Sequence, residues 1–195
     1  MSADTLTQDE VKQILIQTQA IRSGHFKLTS GRHSDTYIQC ARILEHPSTT
    51  MQLARAAAAK LPAGLKVDLV ASPAIGGILF GFAVAAALDL DFIFSEREQG
   101  TMVFRRSFEI PPGAKVLVVE DVVTTGGSVK EVCDLVMASK AEVVGVVSLI
   151  DRGGVPVFDA PYHPLLRLET PSWDPQDCQL CQTGTPLYAP GSRSS

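Results

Sequence analysis

The sequence lacks most features that would place it quickly. Of its 195 residues only 6% are aromatic, one is Trp and four are Cys. So few cysteines, with Cys40 and Cys133 inside stretches that read as ordered elements, exclude a disulfide-knit secreted scaffold. No excess of basic charge is present, since 17 Lys and Arg stand against 21 Asp and Glu for a formal charge of -4. That balance argues against nonspecific nucleic-acid binding, so an anionic ligand must be handled by a local site. The longest apolar run, Ile75 to Leu90, is rich in Gly and Ala and falls short of the about 18 residues a spanning helix needs. No membrane segment is expected. Met1 to Gln19 carries acidic and polar residues where a signal peptide has a basic start and an apolar centre, so a cytoplasmic location is the default.

What remains is a globular composition, 45% hydrophobic and 19% charged, at a length suited to one core. The expectation is a single domain over residues 1–195, with an N-terminal hood to about residue 45, a core to about 170 and an irregular tail over 171–195. Thr7 and Glu10 have capping-box spacing, and Val11, Ile14, Leu15 and Thr18 follow at helical intervals until Ser23 and Gly24 break the pattern. Phe26 to Leu28 and Thr36 to Cys40 read as a short antiparallel hairpin. Pro47 opens a second helix that runs to Leu61. From Val67 onward strands and helices alternate: strand 67–72, helix 76–88, strands 91–95 and 115–119, helix 127–139, strand 142–150. The Val-rich strands show no polar alternation, as expected of a mostly parallel sheet with helices on both faces, an α/β architecture. Glu96 to Gly113 is long for a connection and reads as a lid with a short strand near Met102 to Phe104. The Pro-rich tail is expected to wrap on the surface or fray.

The chemistry concentrates after the strand at 116–119, which delivers Glu120 and Asp121 to the ligand edge of such a sheet. Thr124, Thr125, Gly126, Gly127 and Ser128 then enter a helix, so backbone N–H groups, hydroxyls and the helix dipole converge on a phosphate. Two carboxylates beside an anion site suit a ligand that also presents sugar hydroxyls or a bound Mg²⁺. A Walker loop is excluded because Lys130 lies beyond Ser128 and Val129, and the dinucleotide GxGxxG spacing is missing.

The segment VLVVEDVVTTGGS, residues 116–128, resembles the signature of type I phosphoribosyltransferases. GHFKLTSGRHSDTY, SPAIGG, RRSFEIPPG, LIDRGG and CQLCQTGTPLYAPGSR extend the likeness, over most of the chain, to the orotate phosphoribosyltransferases. That resemblance implies the type I fold, with a small hood and a flexible catalytic loop. It also implies transfer of a phosphoribosyl group from 5-phosphoribosyl 1-diphosphate to orotate in UMP synthesis. Glu120 and Asp121 would hold the ribose hydroxyls, and Val122, Val123, Thr124, Thr125, Gly126, Gly127 and Ser128 the 5-phosphate. Ser72, Ala74, Gly76 and Gly77 would receive the diphosphate, while Thr124, Arg152 and Phe26 would face orotate. The likeness further implies a homodimer whose loop reaches a neighbouring site, and Mg²⁺ brought in by the substrate, with Asp121 as its candidate protein contact.

The chain departs from the better-known members in three places. Its loop, SEREQGTMVFRRSF, has neither Lys nor His, so Arg97, Arg105 and Arg106 are the expected diphosphate contacts. Thr29 stands where some relatives carry Lys, and Gly76 or a neighbour replaces the usual Lys of the diphosphate turn. Two other readings stay open: a purine or uracil phosphoribosyltransferase, which would not need Arg152, and a regulatory protein that senses the sugar diphosphate. Cys178 and Cys181 form a lone CxxC, half a zinc site at most, and read as a tail motif without metal, a zinc shared between subunits being the alternative. His25, His33, His46 and His163 look scattered, with no ligand cluster and no catalytic role.

Overall fold

Valine-rich stretches become the middle of a sheet when both of their faces must be buried, and the computed structural model, which describes residues 5–154 and 156–190, bears this out. The strands are β3 (Leu69–Pro73), β4 (Asp91–Glu98), β5 (Thr101–Phe104), β6 (Lys115–Val123), β7 (Glu142–Asp151) and β8 (Tyr162–Arg167). They lie side by side in the order β5-β4-β3-β6-β7-β8, all parallel except β5, which runs antiparallel to β4. Successive side chains of the central strands point to opposite faces. Val70, Leu117 and Val119 pack with helices α3 (Pro47–Ala59) and α4 (Gly76–Leu88), whereas Leu69, Ala71, Val116 and Val118 pack with α5 (Gly127–Ala138). The latter buries Val129, Val132, Cys133 and Val136, the face its spacing foretells.

A smaller two-stranded sheet, β1 (Ile21–Lys27) and β2 (His33–Ile38), forms the hood, preceded by α1 (Gln8–Gln17) with its capping box between Thr7 and Glu10. A short helix α2 (Ala41–Leu44) joins the hood to α3. Ser23 and Gly24, expected to end the first helix, lie inside β1 instead, because that helix already stops at Thr18. β6 continues four residues past the expected Val119, so Glu120 and Asp121 belong to the strand. The first part of the expected lid forms the β4–β5 hairpin. β8 was not foreseen, since Pro164 interrupts its apolar pattern.

Among residues 171–190 the tail wraps around the hood hairpin, and residues 191–195 lie outside the described chain. His33 and Trp173 exchange backbone hydrogen bonds of 2.8 Å along one edge, and Tyr188 bonds to His25 and Lys27 at 2.8 Å along the other. The side chain of Arg32 reaches Ser172 and Asp174, and the Ser34 hydroxyl donates to the Pro171 carbonyl at 2.7 Å. Between these two anchors the tail forms α6 (Gln179–Gln182), which sets Cys178 and Cys181 over the hairpin. His25 and His33 therefore are not scattered: together with the two cysteines they bring four ligand-type atoms within 4.8 Å of one another. The linear sequence hides this, because the hairpin and the tail meet only in the fold. No helix among the described residues is long and apolar enough to cross a membrane.

Candidate active site

From β3 the chain moves outward to β4, and from β6 it moves the opposite way to β7, so the crevice between β3 and β6 is the topological switch point of the sheet. Open α/β sheets bind ligands there, beyond the carboxyl ends of the strands. β3 ends in the turn Ser72 to Gly77, and β6 ends in Glu120 to Ser128, so the structure brings the two expected turns together.

Their contact is close. A Cβ at Gly76 would stand 2.8 Å from both carboxylate oxygens of Asp121, and one at Gly77 would stand 2.9 Å from Glu120 Oε1. Only hydrogen in these positions lets the first turn of α4 approach the acidic pair. The peptide between Ala74 and Ile75 is cis. Ser72 is fully buried beneath the crevice and Ala74 bonds back to Ser95, so these two shape the turn from behind.

Asp121 is half-buried, with its Oδ1 accepting from the Val122 N–H at 2.8 Å, while Glu120 is only 8% exposed. Burial, reinforced by the charge of Asp121, pushes the Glu120 carboxyl up to about 9. Glu120 is thus held as a neutral acid at neutral pH, beside Asp121. Beside it a cavity of about 260 Å³ is lined by Glu120, Val122 to Val129, Arg97 and Glu131. Gly126 adopts φ +79° at the entrance to α5, a conformation that favours glycine, and a Cβ there would also meet the Phe158 ring at 2.6 Å. The exposed Thr124 and Thr125 and the N–H groups at the start of a twelve-residue helix, unpaired among the described residues, give this cavity the chemistry that suits an anion.

A second cavity of about 360 Å³ adjoins it, lined by Leu28, Thr29, Ser30, Thr124, Thr125, Arg152, Gly154 and Thr170. Arg152 follows β7, its Nη2 donates to Thr170 Oγ1 at 2.8 Å, and its Nε is buried without a hydrogen-bond partner among the described residues. A buried guanidinium N–H left open is costly unless a ligand takes it up. Gly154 lets the chain pass Thr124, whose carbonyl a side chain would strike.

The three loop arginines part company. Arg97 lines the first of these cavities and pairs with Glu131 at 3.0 Å. Arg105 and Arg106 line neither of these cavities and pair with Glu98 at 3.6 Å and Glu96 at 3.2 Å, on the hairpin itself. Phe26 is buried against Tyr37, with ring centroids 5.5 Å apart, and lines neither cavity. The hood turn Leu28 to Ser30 takes the place expected of it. Sequence reasoning missed that turn and Thr170; Thr29 is visible as an unusual residue, but Thr170 follows an unforeseen strand and carries no signal.

Residues 39–162 match the phosphoribosyl transferase domain family. The chain is 48% identical to orotate phosphoribosyltransferase of Heliobacterium modesticaldum over 191 residues, covering 97% of this chain and 100% of that protein. It is also 48% identical to orotate phosphoribosyltransferase of Thermotoga maritima, over 94% of this chain and 98% of that one. Among solved structures, orotate phosphoribosyltransferase from Aeropyrum pernix superposes with a TM-score of 0.68 at 24% identity, covering 81% of this chain and 93% of the other. Adenine phosphoribosyltransferase from Thermoanaerobacter pseudethanolicus superposes with a TM-score of 0.61 at 18% identity, over 83% and 99% of the two chains. The fold is thus shared by proteins named for different bases and does not by itself select one.

Proposed function

The chain belongs to the orotate phosphoribosyltransferase family, and from that premise we propose how its crevice joins 5-phosphoribosyl 1-diphosphate to orotate, releasing orotidine 5′-phosphate and diphosphate. The observation that carries this reading is the half-buried Arg152 with its open Nε, across a small cavity from the phosphate turn. A planar carboxylate such as that of orotate accepts two parallel, charge-assisted hydrogen bonds from a guanidinium, and adenine, hypoxanthine and uracil carry no carboxylate.

In this reading the 5-phosphate lies on Thr124 to Ser128, Asp121 and the neutral Glu120 hold the ribose hydroxyls, and the diphosphate lies along Ser72 to Gly77. A neutral carboxyl both donates and accepts a hydrogen bond, so Glu120 can serve one hydroxyl while Asp121 accepts from the other. The half-buried Asp121 at the diphosphate turn fits a Mg²⁺ carried by the substrate, since that ion is held by one or two carboxylates plus phosphate oxygens. When bound, it supplies neutralisation of the charge gathering on the leaving diphosphate. The ring nitrogen of orotate forms its bond to ribose C1 as the bond from C1 to the diphosphate oxygen breaks and that electron pair leaves with diphosphate. Orotate gives up its ring proton to solvent before attack, so the protein need supply no strong base. Positioning by Arg152, Thr124 and the hood turn does most of the chemistry, and Arg97 is the protein cation nearest the phosphates.

Ile75, just before α4, and Leu79 and Phe82 on it are exposed by 86%, 55% and 59%. Such a row of large apolar side chains supports a homodimer closed over this face, with Arg105 and Arg106 available to the neighbouring crevice. A Leu79→Glu variant sedimenting as a monomer, beside a dimeric wild type, is the expected result. Four free cysteines agree with a reducing, cytoplasmic setting.

The direct test of the reaction is to incubate the protein with the sugar diphosphate and Mg²⁺, offer orotate, adenine, hypoxanthine and uracil separately, and measure diphosphate release. Release is expected with orotate alone. Release with a purine alone would overturn the assignment, and binding of nucleic acid without turnover would point to a regulator.

A further inference from the structure

Away from the crevice, the hood and the tail build a second constellation. The register of β1 against β2 slips between Ser23 and Phe26, which breaks the in-out alternation and buries both His25 and Phe26. His25 thereby faces His33 across the hairpin, with Nε2 3.1 Å from Nδ1. On the tail, the Cys178 carbonyl accepts from the N–H groups of Cys181 and Gln182 at 3.1 and 3.2 Å, a tight turn that points both thiols to the same side. Cys178 Sγ lies 3.3 Å from His25 Nε2, and Cys181 Sγ lies 3.7 Å from the same atom and 3.3 Å from His33 Nδ1.

We propose that His25 Nε2, His33 Nδ1, Cys178 Sγ and Cys181 Sγ bind one zinc ion that pins the tail to the hood. Four ligands at about 2.0–2.3 Å from a tetrahedral Zn²⁺ lie about 3.3–3.8 Å from one another; the four contacts above run from 3.1 to 3.7 Å, and all four atoms lie within 4.8 Å of one another. The outer contact is also in place. The Thr185 carbonyl can only accept, so the 2.8 Å contact from His25 Nδ1 puts the ring proton there and leaves Nε2 bare toward the cluster. Orienting a ligating imidazole through its second nitrogen is the usual support of a metal site. Charge agrees as well: on binding, each thiol releases a proton, and two thiolates with two neutral imidazoles balance the 2+ of the ion, as suits a set with three of its four residues buried. Sulfur and imidazole together select zinc over Mg²⁺ or Ca²⁺. All four positions are filled by protein, which makes the site structural and leaves none for substrate.

The consequence is a staple on a weak element. A lone two-stranded hairpin is marginal in water, yet the turn of this one supplies Leu28, Thr29 and Ser30 to the cavity that holds Arg152. Fixing His25 and His33 on the two strands that flank the turn would hold it over the base.

Elemental analysis of tag-free protein, produced with zinc in the medium and purified under reducing conditions, is expected to give about one zinc per chain. Cobalt(II) loaded in its place should show the intense visible bands of a tetrahedral thiolate site. A Cys181→Ser variant, shown folded by circular dichroism, should lose the metal, and chelation of the wild type should lower its melting temperature by several degrees. Wild-type protein with only trace zinc and no cobalt spectrum, or with Cys178 and Cys181 joined as a disulfide in reduced preparations, would overturn the proposal; these readings need no variant. Stripping the metal should also raise KM for orotate several-fold. That last effect rests on the orotate reading, whereas the metal content does not, so the two ideas fail separately.

Discussion

From Val116 to Ser128 the strand, the acidic pair and the anion-binding turn follow one another along a single stretch of chain. The junction of hood and tail is assembled differently: His25 meets Cys178 across 153 residues, and the contacts that join hood to tail span most of the chain. In the first region the backbone itself arranges the chemistry, since a strand must end where a helix begins and the free N–H groups point at the ligand. In the second, position depends on a hairpin and a tail that have little stability apart. A substitution in the first should therefore change turnover with little change in folding, and one in the second should act through the shape of the base pocket.

The sharpest way to break this contrast is Asp121→Asn. Loss of one preorganised charge at a reacting centre costs about 10²–10³ in rate, so kcat/KM should fall by that order while the melting temperature stays near that of the wild type. If turnover and substrate affinity both survived, the acidic pair would have no role in the reaction. Arg152→Ala comes next. Removing one partner of a buried charged hydrogen bond costs about 2–5 kcal/mol, so KM for orotate should rise roughly thirtyfold or more, with KM for the sugar diphosphate almost unmoved. Arg152→Lys should recover only part of the loss, because an ammonium cannot fork. Equal rises in both KM values would mean that Arg152 shapes the site as a whole.

These two residues also mark what the sequence discloses. Asp121 and the phosphate turn were legible because their chemistry is contiguous: acids at a strand end, then Thr, Gly and Ser entering a helix. Arg152 was legible for the same reason, one residue past a Val-rich strand. Leu28 to Ser30 and Thr170 were not, since no local pattern tells which hairpin turn will lie over which strand end. The strand that precedes Thr170 was itself hidden by Pro164, tolerated there because β8 is an edge strand. The histidines failed as ligands on paper for a related reason: a lone CxxC counts as half a site until the fold supplies the other half. The sheet core was readable in outline, but the end of β6 was not, because Glu120 and Asp121 look like a strand's boundary while the buried Glu120 continues it.

A smaller effect should come from Gly126→Ala. Its φ of +79° is the left-handed region, which costs an L-residue about 1–2 kcal/mol, and the added Cβ meets Phe158. Affinity for the sugar diphosphate, read by calorimetry, should drop roughly tenfold, and the denaturation midpoint should fall modestly as well. A variant with unchanged affinity would show that the turn need not hold this shape to bind phosphate.

A last test concerns Glu120 and sharpens the claim that its carboxyl is neutral. Burial and Asp121 raise it from an ordinary 4.5 to about 9. Between those values the native protein keeps a proton that the unfolded chain has released, so the unfolded state binds fewer protons and stability falls as pH rises. The contribution is fully present below about pH 4.5 and is lost as pH climbs through about 9. Glu120→Gln removes the titration while keeping the shape. Measured by urea denaturation of the ligand-free protein at pH 6, 7 and 8, the variant should gain on the wild type by up to about 1.4 kcal/mol for each pH unit. A constant difference across that range would mean that Glu120 is already ionised in the fold. It would then only accept hydrogen bonds, and the division of the two ribose hydroxyls between a donor and an acceptor would have to be abandoned.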